Sequence, residues 1–236
     1  MKAESTVRLP PGFRSKFLDA LTSTEIKTLL GAAREEPITP GQVLQRHGEL
    51  ARRLCLPLTG LVAAYRLVDE GSKLFLRWGL PGDVFGLSTL LAEPSTYLVT
   101  VEAVQQGSLL TWDLAASRML IGQFPNMLRA VNSLAASYMD DFIDVLAVHV
   151  SLTAPQRLAQ MLVKSARQIG RVGEDGIELD LTNDQLALIA QVSSFTASRQ
   201  LNKWQVLGIV RKNRGTILLR SLPCLEDIAK VGTHRP

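Results

Sequence analysis

The sequence predicts an α+β protein built from an N-terminal antiparallel β-roll, a long helix, and a C-terminal helix-turn-helix closed by a β-hairpin. Three observations predict it. Between residues 37 and 113 short apolar runs are broken by glycines at 41, 48, 60, 71, 79, 82, 86 and 107, the pattern of closely spaced strands joined by tight turns. After Pro125 the apolar residues recur at alternating spacings of three and four, a helical period. Beyond Thr182 two short capped helical patterns stand three residues apart, followed by two apolar runs around a turn, the layout of a helix-turn-helix with a hairpin behind it.

Ahead of the strands, "TSTEIKTLLGAA" offers Ser23 or Thr24 as an N-cap and an Ile26, Leu29, Leu30 stripe, which makes a short packing helix. The runs "ITPGQVLQ", "LCLPLTGLVAAYRLV", "SKLFLRWGLPGDVFGL" and "TYLVTVEAVQQGSLLTWD" are the expected strands of a barrel or roll. In the long helix Leu128, Val131, Ala135, Tyr138, Phe142, Val145 and His149 form a heptad stripe. Two readings are open, a helix packed on its own roll and a parallel dimer seam. A second apolar set, Leu134, Ile143 and Leu146, allows both faces to be covered. "SLTAPQRLAQMLVKSARQIG" then starts a new helix with Ser151 or Thr153 as its cap, Pro155 in its first turn and Gly170 at its end.

The helix-turn-helix is the most informative segment. Thr182 and Gln185 have capping-box spacing, Leu186, Ile189 and Ala190 form an inward stripe, "QVS" interrupts the helix, and Ser194 opens the next. Ala197, Leu201 and Trp204 then face inward, and Ser194, Phe195, Ser198, Arg199 and Asn202 face outward. In "GIVRKNRGTILLRSL", Asn213 and Gly215 are suited to the positive φ of a tight hairpin, whose tip presents Arg211, Lys212 and Arg214 to phosphates. Charge agrees: residues 1–152 carry 14 Lys+Arg against 15 Asp+Glu, whereas residues 153–236 carry 12 against 7. A balance of −1 followed by one of +5 points to a polyanionic partner for the C-terminal part, against the plainer reading of a solvated basic face.

Composition excludes several classes. A chain of 236 residues with 46% hydrophobic content can bury one large or two ordinary cores. Cys55 and Cys224 form no CxxC pair, which suggests neither a disulfide framework nor a thiolate metal site. The start "MKAESTVRLPPGF" lacks the apolar run of a signal peptide and no stretch of about 18 apolar residues occurs, so a cytoplasmic protein is expected. With no GxSxG, HExxH or P-loop, no catalytic residue and no metal ligand is assigned.

This order of parts resembles the CRP/FNR family of bacterial transcription regulators over nearly the whole chain. The resemblance is carried by "PGQVLQRHGE", "GLVAAYRL", "LPGDVFGL", "TAPQRLAQMLV" and "LTNDQLALIAQVSSFTASRQLNKWQVLGIVRKNRGTILL". It implies a cyclic-nucleotide-binding-type β-roll over residues 13–122, a long dimerisation helix and hinge over 123–152, and a winged helix-turn-helix over 153–236. It turns the heptad stripe into a dimer seam, and it implies double-stranded DNA, a second copy of the chain and RNA polymerase as partners, with no membrane.

The effector region departs from the family's cyclic AMP binders. Those carry a glutamate just after "FG" and an Arg-Ser pair for the phosphate, where this chain has Leu87, Tyr97 and Leu98; their two small hydroxyl residues on the long helix fall at Phe142 and Ile143. A buried phosphate without an arginine is left uncompensated. The family's iron–sulfur sensing needs several cysteines near the N-terminus, and the first here is Cys55. A haem-dependent gas sensor would use His47, His149 or Cys55 as axial ligand. The expectation is therefore no cofactor and an effector other than cyclic AMP, held near Gly86, Leu87, Ser88, Tyr97, Leu98, Tyr138 and Phe142, unless these simply fill a core.

In the DNA-binding part, Arg199 falls where family members place an arginine on guanine, and Phe195 falls where many carry an acidic residue. The phenylalanine either presses on a thymine methyl or folds back onto the domain surface. Thr182 and Lys203 complete the expected contact set. The rival to a regulator is a ligand-binding protein without specific DNA binding.

Overall fold

The computed structural model describes residues 7–68, 73–91 and 93–230, apart from the side chain of His149. The expected turn at Gly71 and the end of the chain after 230 lie outside the described residues. The chain divides into two compact units: residues up to 142 apart from Lys73–Phe75, and residues from 143 onward together with those three.

The first unit opens with two short helices, α1 (Lys16–Asp19) and α2 (Ser23–Gly31). The cap of α2 is Thr22, not Ser23 or Thr24: Thr22 Oγ1 accepts from Glu25 N, and the Glu25 carboxylate accepts from Thr22 N at 2.7 Å. The S/T-x-x-E spacing selects the cap, because only Thr22 has a glutamate three residues on.

Seven strands follow, β1 (Arg34–Ile38), β2 (Val43–Gln45), β3 (Arg53–Thr59), β4 (Val62–Leu67), β5 (Lys73–Gly79), β6 (Thr100–Ala103) and β7 (Gly107–Asp113). They form a three-stranded sheet in the order β1-β7-β3 and a four-stranded sheet in the order β2-β6-β4-β5. Pro37 and Pro57 both lie in strands at the margins of the first sheet, where a missing N–H removes no central ladder bond.

Two-residue alternation divides the core. In β3, Leu54, Leu56 and Leu58 turn toward the helices, while Cys55 turns to the space shared with Ile38, Val62, Ala64, Phe85 and Leu109. In β7, Leu110 and Trp112 join the helix side and Leu109 the other. Trp112 is fully buried, and its Nε1 donates to Leu29 O at 2.8 Å, fixing α2 on the sheet.

A helix that the sequence pattern missed, α3 (Leu114–Gln123), is capped by Asp113 and leads into α4 (Pro125–Ser151). Met127, Ala130, Val131, Leu134 and Tyr138 of α4 pack into the helix-side core. This moves the expected seam. Val131 and Tyr138 face the chain's own roll and Val145 is buried, whereas Leu128, Ala135, Met139, Ile143, Leu146 and Val150 are exposed. Two apolar stripes run side by side on this helix, and spacing alone assigned some residues of each to the other.

The second unit contains α5 (Ala154–Ile169), β8 (Arg171–Gly173), β9 (Gly176–Leu179), α6 (Asn183–Ile189), α7 (Ser194–Val206), β10 (Val210–Asn213), β11 (Thr216–Leu219) and α8 (Leu222–Lys230). Thr153 and Gln156 form the capping box of α5. The expected hairpin forms from β10 and β11 and lies at the margin of one four-stranded sheet, β10-β11-β9-β8. Its two-residue turn is Arg214-Gly215. Gly215 has φ +79°, while Asn213 stays in the strand, contrary to expectation.

Candidate DNA-reading surface and roll cavity

The reading surface is built by caps and buried anchors. Thr182 and Gln185 cap α6 reciprocally. The turn passes through Gln191 at φ +51°, a left-handed conformation rare for a side-chain-bearing residue; its Nε2 donates to Leu188 O at 2.8 Å. Ser193 caps α7 by accepting from Thr196 N. Ala197, Leu201 and Trp204 are buried as expected and hold α7 against its domain.

The opposite side of α7 is open. Ser194, Phe195, Arg199, Asn202 and Lys203 are exposed and Ser198 is half-buried. Phe195 is 73% exposed, so it does not fold back onto the surface. Its ring lies 5.9 Å from the Arg199 guanidinium carbon, one helical turn on. Ser194 Oγ donates to Asp184 Oδ1 at 2.6 Å, joining the first turns of α6 and α7.

The wing is tied to the same helix. Lys212 N donates to Gln205 Oε1 at 3.0 Å, and Lys212 Nζ to Asn202 Oδ1 at 2.9 Å. Lys212 is therefore a strut between wing and helix as well as a cation. Arg214 is exposed at the turn, and Arg211 lies 3.9 Å from Asp175.

Sequence reasoning missed Arg157, which holds the scaffold beneath this surface. Its Nε donates to Ala190 O (3.0 Å), Nη2 to Gln191 O (3.2 Å) and Nη1 to Leu152 O (2.9 Å). One guanidinium thus links the α4–α5 junction to the turn of the helix-turn-helix. An arginine one turn into a capped helix carries no sequence signal of such a role.

Within the first unit, a cavity of about 330 Å³ lies between the roll and α4. All seven expected pocket residues, Gly86, Leu87, Ser88, Tyr97, Leu98, Tyr138 and Phe142, line it. Gly86 has φ +81°, and a Cβ there would meet Arg53 O at 2.2 Å, so the chain passes too close for any side chain. Tyr97 is a buried brace: its hydroxyl accepts from Arg52 N and Arg53 N and donates to Arg53 O. Tyr138 donates to Val84 O at 2.8 Å and accepts from Val84 N. Burial pushes its phenol above the ordinary range, which keeps that proton in place.

The cavity also contains residues the sequence did not single out, chiefly Gln45 and Arg77. The Arg77 guanidinium stacks on the Tyr138 ring at 4.2 Å. Its Nη2 donates to Asp83 at 2.9 Å, and its Nε is 3.1 Å from Asp141. The cation in the wall is thus already matched by two carboxylates. Of the axial-ligand candidates, His47 is exposed in a turn, and the thiol of buried Cys55 is pushed up to about 12, by burial first. The side chain of His149 lies outside the described residues. Among the described residues no cluster of His, Cys, Asp or Glu could hold a metal ion, and no helix is long and apolar enough to cross a membrane.

Comparison with known proteins agrees with this arrangement. Residues 35–124 match the family described as "Cyclic nucleotide-binding domain", and residues 156–228 match the "Crp-like helix-turn-helix domain". The chain is 28% identical over 221 residues to the Cyclic AMP receptor protein of Thermus thermophilus, covering 91% of this chain and 97% of that one. Among solved structures, the c-di-GMP-responsive global regulator CLP of Xanthomonas campestris superposes with TM-score 0.75 at 19% identity, over 85% of this chain and all of the other. FixK2 of Bradyrhizobium japonicum gives TM-score 0.72 at 22% identity, over 83% and 96%. With the roll, the helix-turn-helix and both family matches in the same order along one polypeptide, the chain belongs to the CRP/FNR family of transcription regulators.

Proposed function

We propose that this regulator acts as a homodimer on a palindromic operator, with α7 of each copy in a major groove, and that an effector other than cyclic AMP sets its DNA affinity through the roll cavity. The observation that carries the reading is the α7 surface. An exposed, cap-defined helix presents Phe195 and Arg199 outward, and Lys212 braces the basic wing against it. Arg199 then reads guanine, while Lys203, Arg211 and Arg214 meet phosphates and fix register. Phe195 cannot accept a bond from cytosine and packs on a thymine methyl.

The cavity supports an effector other than cyclic AMP. A cyclic phosphate needs an unmatched cation, and Arg77 is engaged by Asp83 and Asp141. The exposed apolar face of α4, from Leu128 to Val150, supports pairing with a second copy. RNA polymerase is the partner expected of a regulator that activates.

Selection of bound fragments from random DNA by the purified full chain tests the reading. The expected product is a palindrome whose half-site centres lie about 34–36 Å apart, with affinity falling steeply as salt rises. A flat sequence preference at every salt concentration would point to a ligand-binding protein without specific DNA binding.

A further inference from the structure

Three buried polar atoms on residues that line the roll cavity have no hydrogen-bond partner: Gln45 Oε1, Arg77 Nε and Arg77 Nη1. Gln45 is only 6% exposed. Its Nε2 donates to Val99 O at 3.2 Å. A carbonyl only accepts, so this bond fixes which end of the amide is which and leaves Oε1 as the free end. That oxygen sits over Gly86, where an added Cβ would come within 3.4 Å of it. Arg77 uses Nη2 on Asp83 and turns Nε toward Asp141, which leaves Nη1 as the free donor.

A buried acceptor and a buried donor left unpaired are both costly, and here both belong to the wall of one cavity of about 330 Å³. The remaining wall is largely apolar, with Val84, Leu87, Leu91, Val131, Ala135 and Phe142 among its residues. Charge narrows the occupant further. An anion entering would lose its hydration beside Asp83 and Asp141 and find no unmatched cation, since Arg77 already pairs with both. A cation would lose its hydration without a free carboxylate in exchange, since both are already on Arg77.

We propose that the cavity takes a small, uncharged, largely apolar molecule bearing one hydrogen-bond donor, received by Gln45 Oε1, and one acceptor, received by Arg77 Nη1. Aryl alcohols that also carry a carbonyl, and aryl amides, have this chemistry. The inference rests on the reading of this cavity as the effector site and names the class of its ligand.

The test is binding of a matched panel to the full chain, by ligand-observed NMR and calorimetry. The panel comprises uncharged aryl amides and aryl keto-alcohols such as 4-(hydroxymethyl)benzophenone, their N- or O-methylated counterparts, carboxylates of the same ring systems such as 4-benzoylbenzoate, and cyclic AMP. Compounds of the first group are expected to bind, and methylation of the donor to weaken them about tenfold. In Gln45→Met, which keeps the volume and removes the acceptor, donor-bearing and methylated compounds should bind equally. The ranking in the unaltered protein stands by itself if that variant does not fold. The proposal is overturned if carboxylates or cyclic AMP outrank the uncharged compounds, if none of the uncharged compounds binds, or if the methylation penalty survives in a folded Gln45→Met. Operator affinity with and without the best binder reads the switch separately: binding without a change in operator affinity overturns the effector reading and leaves the ligand class standing.

Discussion

Arg199 and Phe195 sit one helical turn apart on the open side of α7, with the ring 5.9 Å from the guanidinium. Arg199→Ala should relax specificity at one base pair of each half-site by about 1–3 kcal/mol, the worth of a bidentate contact to guanine. Selection profiles of the variant check it, and an unchanged profile would remove Arg199 from base readout. Phe195→Ala should erase a thymine preference at the neighbouring position without changing the salt slope, because no phosphate contact is lost. Elsewhere, Glu25 binds Asn126 Nδ2, Thr22 N and Thr22 Oγ1. These bonds, that from Asn126 first, hold its carboxyl below the usual 4.5. A depressed folded-state value means that the stabilisation is fully present above the unfolded value and is lost as pH falls through the folded one. Glu25→Gln should therefore melt below the unaltered chain at neutral pH, and the gap should close in acid well under pH 4.5. A gap that is constant with pH would mean that the carboxylate's charge plays no part.

At the scale of whole elements, Arg157 ties α5 to its neighbours. It donates to three carbonyls, at the end of α6, in the following turn and between α4 and α5. Arg157→Ala leaves those carbonyls without their charged donor, for an expected loss of about 2–3 kcal/mol. Urea unfolding of the C-terminal unit should register it, and operator affinity should fall as α7 loses its fixed support. A full-strength unfolding midpoint would show that water replaces the guanidinium at no cost. At this scale the sequence was legible where the signal is local. The Thr182 capping box, the inward set of α7 and the glycine-punctuated strands are written in spacing, whereas at α5 spacing left Ser151 and Thr153 both open as the cap. Helices α3 and α8 escaped because their apolar residues continue neighbouring runs, and β8 because three exposed residues carry no alternation. The pocket's glycine and aromatic residues were readable in order, but Gln45 and Arg77 were not: strands distant in sequence bring them to one cavity.

For the whole molecule, the proposed dimer is tested at the exposed face of α4. Leu146 is 63% exposed and Val150 86%, an apolar stripe that water covers at a cost unless a second copy packs on it. Leu146→Asp costs the isolated chain little, since that position is largely exposed, but in the proposed dimer it places two like charges close together across the seam. Leu146→Asp should therefore leave the melting of each unit near that of the unaltered protein and shift sedimentation from dimer to monomer. Operator affinity should fall with it. Two linked half-sites bind with an effective-concentration advantage of about 10²–10⁴ over separate ones, and the monomer forfeits it. A single half-site should be bound equally by both forms, because α7 and the wing are untouched. If Leu146→Asp remains a dimer, the seam lies elsewhere; if it is monomeric and still binds the palindrome at full strength, the two half-sites are read independently and the long helix has no part in recognition.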